Sequence, residues 1–164
     1  MMPIAPEPID SIASIPIGAL YVPFREYAIR RGPLYTDGIT SCVAIAMRNI
    51  RNDVLGLFHL HALTIGKGEY PSPINDYLYA YIEEALNATP QLETPDMEAH
   101  LVGGGYDQDV EQGTGLTIRF DNALRVKRHI ESFGISAAYY STDRRSAKTL
   151  IIAGRGSLTI NQDA

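Results

Sequence analysis

The sequence predicts an α+β domain, a β-sandwich-like core of mixed sheets flanked by helices. Short runs suited to strands recur from Ile17 to Ile160, and only two segments carry helix signals. Glycine and proline turn signals punctuate these runs. The chain of 164 residues, 45% of them hydrophobic, suits one compact domain with a real core.

The elements follow in order. Residues 1–14 are proline-rich and polar and read as a flexible arm, with a single domain over 15–164. Ile17 to Tyr21 and Arg25 to Arg30 read as short strands, followed by the turn Arg31-Gly32-Pro33. Thr36 to Thr40 reads as a loop that delivers Cys42 to the start of a strand. That strand, Cys42 to Met47, is apolar on both faces, so a central, buried position is expected. Val54 to Leu60 should pair with it antiparallel.

Ser72-Pro73 caps a helix of about Ile74 to Ala88, with Leu78, Ile82, Ala85 and Leu86 as its apolar stripe. Ala99 to Val102 is a strand entering Gly103-Gly104-Gly105, and Leu116 to Phe120 is another. A second helix runs from about Ala123 to Phe133, turning Leu124, Ile130 and Phe133 inward, with Gly134 as its stop. Ala137 to Ser141 is a strand, and Thr149 to Ala153 with Ser157 to Ile160 forms a closing hairpin.

The net charge is −5 and no long basic run occurs, which argues against a nucleic-acid footprint or docking on an anionic membrane. No apolar stretch is long enough to span a bilayer. The first residues carry no basic region of a secretory signal, so a cytoplasmic protein is expected, or one delivered into a target cell without a cleaved signal. One cysteine rules out an internal disulfide.

That cysteine sits in a chemical pattern, Thr36-x5-Cys42-x16-His59. A thiol needs a nearby base, because the thiolate is the nucleophile. In a hairpin the end of the second strand lies beside the start of the first, so Cys42 and His59 should converge at one sheet edge. A slip of one residue would turn His59 away, and His61 is the rival base. Each residue also has a plainer reading. Cys42 could be a small buried hydrophobe and Thr36 a turn or capping hydroxyl. His59-x-His61 could be a metal pair, but no convincing third ligand accompanies it. The triple glycine lacks phosphate-loop spacing and reads as a tight turn near the site. Tyr77, Tyr79 and Tyr81, at alternate positions of the first helix, cannot all face inward.

Three blocks, in order, resemble the chemoreceptor glutamine deamidase family CheD. Thr36-Asp37-Gly38-Ile39-Thr40-Ser41-Cys42-Val43 looks like the family's T-L-G-L-G-S-C-V. Gly56-Leu57-Phe58-His59 is similar to its G-x-x-H, and Ala99-His100-Leu101-Val102-Gly103-Gly104-Gly105 to its A-K-x-x-G-G-A. The resemblance covers roughly residues 17 to 160. The same Cys-His core occurs in the catalytic domain of the cytotoxic necrotizing factors and in Burkholderia lethal factor. Two departures stand out: Thr40 replaces a family glycine, and Asp143 to Lys148 stands where the family tends to carry a glycine pair before a Gly-Arg step.

The resemblance implies a cysteine-dependent deamidase that converts a protein glutamine to glutamate. Cys42 would be the nucleophile, His59 the base and Thr36 the orienter, with no metal or cofactor. Backbone near Ser41, Thr40 and Gly104 would stabilise the oxyanion, and Tyr106 would line the substrate cleft. The substrate would be a protein with a surface Gln, either a chemoreceptor or, in an effector or toxin version, a host or rival protein. A lysine reaching the thioester would make the same site a transglutaminase. A non-catalytic binding module on the same fold is the other alternative, since family members also bind a regulatory phosphatase.

Overall fold

The computed structural model describes residues 7–9, 15–39, 42–60, 72–88, 96–103, 124–141, 148–153 and 157–162. The strands are β1 (Glu7–Ile9), β2 (Leu20–Tyr21), β3 (Tyr27–Arg30), β4 (Leu34–Thr36), β5 (Val43–Asn49), β6 (Leu55–Leu60), β7 (Met97–Gly103), β8 (Ser136–Ser141), β9 (Lys148–Ala153) and β10 (Ser157–Gln162). The helices are α1 (Ser72–Ala88) and α2 (residues 124–131). The architecture is α+β, as expected.

The strands form two five-stranded sheets, in the orders β1-β10-β9-β4-β2 and β3-β6-β5-β7-β8. β5 is central in the second sheet and pairs antiparallel with β6 and β7. Its sequence explains that place: Val43, Ile45 and Met47 face one core, and Ala44 and Ala46 face another. The large side chains meet α1 and α2 through Leu78, Tyr81, Ala85, Val126 and Ile130. The alanines meet Leu34, Val22 and Ile39, contributed by β4 and the segments around it. Small residues on this second face let the two sheets approach closely.

The other element positions follow local chemistry. Gly56 faces Tyr81, and a methyl in its place would fall 2.6 Å from the Tyr81 ring. The bare backbone lets that ring lie on β6 while its hydroxyl donates to the Val54 carbonyl at 2.7 Å. Among the α1 tyrosines, Tyr81 is buried, Tyr77 half-buried and Tyr79 exposed. β7 and β8 are parallel, which requires a crossover, and α2 lies within it. Gly134 ends that passage at φ 81°, a left-handed conformation that suits glycine.

Three differences from the expected elements bear on function. Residues Leu34–Thr36 form a strand, β4, where only a turn and a loop were expected; three residues give too short a run to show alternation. Residues Glu7–Ile9 of the expected arm form β1, which pairs in parallel with β10 at a sheet edge, where Pro8 is tolerated. β7 starts at Met97, two residues earlier than expected. The expected strand at Leu116 to Phe120 lies outside the described residues.

Candidate active site

Thr36 ends β4, Cys42 immediately precedes β5, and His59 is the penultimate residue of β6. Register now settles the facing. His59 is the cross-strand partner of Ala44. Cys42 lies two residues before Ala44, just outside β5, and the alternation of the strand continued back by one residue gives the same face. On that register Cys42 stands diagonal to His59, a relation in which backbones are typically roughly 7–8 Å apart. Cys42 is half-buried and His59 is 3% exposed.

Thr36 is fully buried, and its hydroxyl fixes the tautomer of His59. Oγ1 donates its single proton to the Val22 carbonyl at 2.6 Å. The same oxygen is 2.9 Å from His59 Nδ1. With its proton committed, Oγ1 can only accept there, so Nδ1 carries the hydrogen and Nε2 keeps the lone pair. Nε2 is buried and has no hydrogen-bond partner among the described residues. This is the form a general base needs.

Burial pushes the His59 imidazole below its usual titration range, and the Asp37 carboxylate pushes in the opposite direction. Tyr21 donates to Asp37 Oδ1 at 2.7 Å, and this bond raises the phenol to about 12. The Phe24 ring meets the imidazole edge-on, with centroids 5.3 Å apart, and is exposed on its outer side.

The backbone around His59 is shaped by a bulge. Arg25 N–H donates to the His59 carbonyl, and His59 N–H donates to the Glu26 carbonyl. Two residues thus oppose one, and the first, Arg25, has φ 69°. The bulge turns Phe24 onto the imidazole.

Gly103 secures the cysteine side. It is paired with Val43 and has φ 125°. A methyl there would sit 1.9 Å from the Cys42 carbonyl oxygen, so only glycine allows β7 to end against the Cys42 backbone. The Tyr139 hydroxyl donates to the Gly103 carbonyl from β8.

The structure therefore brings Thr36 and His59 into contact, with Cys42 just before the neighbouring strand β5. Thr40, Ser41, Gly104, Tyr106 and His61 lie outside the described residues, as does the block 142–147. Sequence reasoning missed Val22, Phe24 and Asp37. Val22 acts through its carbonyl and has no sequence signature; Asp37 stood beside Thr36 in the quoted block. Among the described residues no group of three or more His, Cys, Asp or Glu could hold a metal ion. No described helix is long and apolar enough to cross a membrane.

No family model matches the chain. The probable chemoreceptor glutamine deamidase CheD of Haloarcula marismortui is 31% identical over 119 residues, covering 70% of this chain and 67% of that protein. The chemoreceptor glutamine deamidase CheD of Thermotoga maritima is 28% identical over 129 residues, covering 76% of this chain and 79% of that protein. Among solved structures, a Neisseria meningitidis protein of the DUF152 family is similar with a TM-score of 0.46 at 11% identity, over 77% of this chain and 64% of that one. The hypothetical protein YfiH of Bacillus licheniformis follows with a TM-score of 0.37 at 12% identity, over 68% of this chain and 50% of that one. Likenesses to structures at this level carry no argument about function.

Proposed function

This chain belongs to the chemoreceptor glutamine deamidase family CheD, and we propose that it hydrolyses the side-chain amide of a glutamine in a chemoreceptor, using Cys42, His59 and Thr36. The observation that carries the site assignment is the committed proton of Thr36, which leaves His59 with a free, buried Nε2 on the face that bears Cys42.

The reaction follows from that tautomer. His59 Nε2 takes the Cys42 thiol proton, and the thiolate attacks the carboxamide carbon. A C–S bond forms, the C–N bond breaks, and the imidazolium returns the proton to the departing ammonia. Water then adds to the thioester with His59 again as base, releasing Glu and the free thiol. Thr36 holds the ring through both steps without taking a proton. Backbone N–H groups beside Cys42 serve as oxyanion donors, each worth roughly 10²–10³ in rate. The edge-on Phe24 shields the imidazole while its outer side meets the substrate.

Both relatives' names speak for a chemoreceptor substrate rather than a host or rival protein. Nothing in the described residues adds to the effector version. The test is mass spectrometry of chemoreceptors from the same genome, incubated with the full chain. Gln-to-Glu conversion that disappears in Cys42→Ser is expected. Conversion that survives Cys42→Ser, or no conversion with a thiol indifferent to His59→Ala, would overturn the assignment.

A further inference from the structure

A Cys-His pair works through a thiolate and an imidazolium, and a buried imidazolium needs a counter-charge. Thr36 cannot provide one: it is neutral, and its proton is spent on Val22. The thiolate supplies it only while it lasts; a lasting counter-charge must come from a group fixed nearby.

The described charged and titratable groups packed around His59 are few. Arg25 and Glu26 meet it through backbone bonds alone. The Arg25 guanidinium lies over the outer Phe24 ring at 5.4 Å and carries the wrong sign. Glu26 is exposed, so solvent screens its carboxylate. Cys42 is the partner itself. Tyr35 contacts Tyr21 with ring centroids 5.2 Å apart, and Tyr21 remains a neutral donor up to about 12.

Asp37 differs from all of these. It is half-buried and directly follows the residue whose hydroxyl grips Nδ1, so its Cα is about 3.8 Å from that of Thr36. Its carboxylate is pinned by the Tyr21 hydroxyl at 2.7 Å. From there it works against the effect of burial on the His59 imidazole. The resembled motif has leucine at this position, so this charge is a property of this chain.

We propose that Asp37, held in place by the Tyr21 hydroxyl, is the counter-charge of the His59 imidazolium: a positioning residue that acts on the base through its field rather than through contact. This rests on His59 being the base of the proposed reaction.

The test uses the full chain and two readouts. The first is the His59 ring titration by NMR in a Cys42→Ser background, with Asp37, Asp37→Asn or Asp37→Glu. The second is the rate of Cys42 alkylation by iodoacetamide against pH in the wild type, the same Asp37 variants, Tyr21→Phe and His59→Ala. Asp37→Asn should move the His59 titration to lower pH and slow alkylation at neutral pH roughly threefold to tenfold. Asp37→Glu should restore both, and Tyr21→Phe should give a smaller loss in the same direction. A folded Asp37→Asn protein with an unchanged His59 titration would overturn the inference. A wild-type thiol that ignores His59→Ala would instead sink the catalytic reading, while the NMR arm still reports on Asp37 and His59.

Discussion

His59 and His100 are both sealed between the two sheets, at 3% and 4% exposure, yet they stand in opposite kinds of environment. They share a face of the central sheet, since His59 is opposite Ala44 and His100 opposite Ala46. His59 is held by a neutral hydroxyl near the open end of β5. His100 lies further along, with Nε2 3.8 Å from Glu98 Oε1 and its ring stacked on Tyr140 at 6.0 Å. The same Glu98 oxygen pairs with Arg48 at 2.9 Å, and both side chains are buried. One end of the face thus carries an imidazole beside a neutral hydroxyl, and the other a buried ion pair. A neutral partner leaves an imidazole free to take a proton; full charges fix geometry, and breaking them exposes an unpaired charge to a low-dielectric interior.

The largest effect should separate the two ends by activity. His59→Gln should lower deamidation by at least about 10³-fold with little change in Tm, whereas His100→Gln should leave kcat/KM per folded molecule nearly intact. Kinetics beside thermal melts check this, and comparable activity loss in both would erase the contrast. The next effect is in stability. Glu98→Ala should cost about 3–5 kcal/mol by leaving Arg48 buried and unpaired, and Arg48→Met with Glu98→Leu together should recover most of it, read from urea unfolding.

Thr36→Val should hit both properties at once. It orphans the His59 Nδ1–H and the Val22 carbonyl, costing about 1–3 kcal/mol, and it releases the tautomer, so the deamidation rate should fall by roughly 10²-fold. Thr36→Ser should retain most of both. Gly103→Ala should destabilise by about 1–3 kcal/mol through its left-handed φ and its contact with the Cys42 carbonyl. It should also slow Cys42 alkylation, whereas a change confined to stability would detach Gly103 from the site.

The smallest effect is a pH slope. The folded His59 titrates below the unfolded value of about 6.5, so on acidification the unfolded chain binds its proton first. Stability should be unaffected by this group above that pH and decline below it. His59→Gln should flatten the decline, leaving a weaker slope of the same sign from partly buried His129. Urea unfolding over the acidic range measures it.

These contrasts show how far the site was legible in the sequence. Thr36, Cys42 and His59 stood out as candidates because their residue types and spacing carry chemistry, and the fold brings Thr36 to His59. The hairpin of β5 and β6 was readable because an apolar run, a polar connection and a second apolar run name their own pairing. The role of Asp37 was not readable beside Thr36, because its value depends on the Tyr21 hydroxyl that arrives from sixteen residues away. Arg48 and Glu98 were likewise silent, being ordinary charged residues in strands until the ladder set them side by side.

By itself the sequence determined the α+β class and the central place of β5 and marked three candidate site residues, since periodicity, turn residues and side-chain chemistry are local properties. Only the tertiary structure decided which way they face and what surrounds them. Strand side chains alternate with a period of two, so one step of register separates a His59 beside Cys42 from one buried against α1. The β4 strand, too short to announce itself, is what carries Thr36 across to His59 and places the Val22 carbonyl behind it.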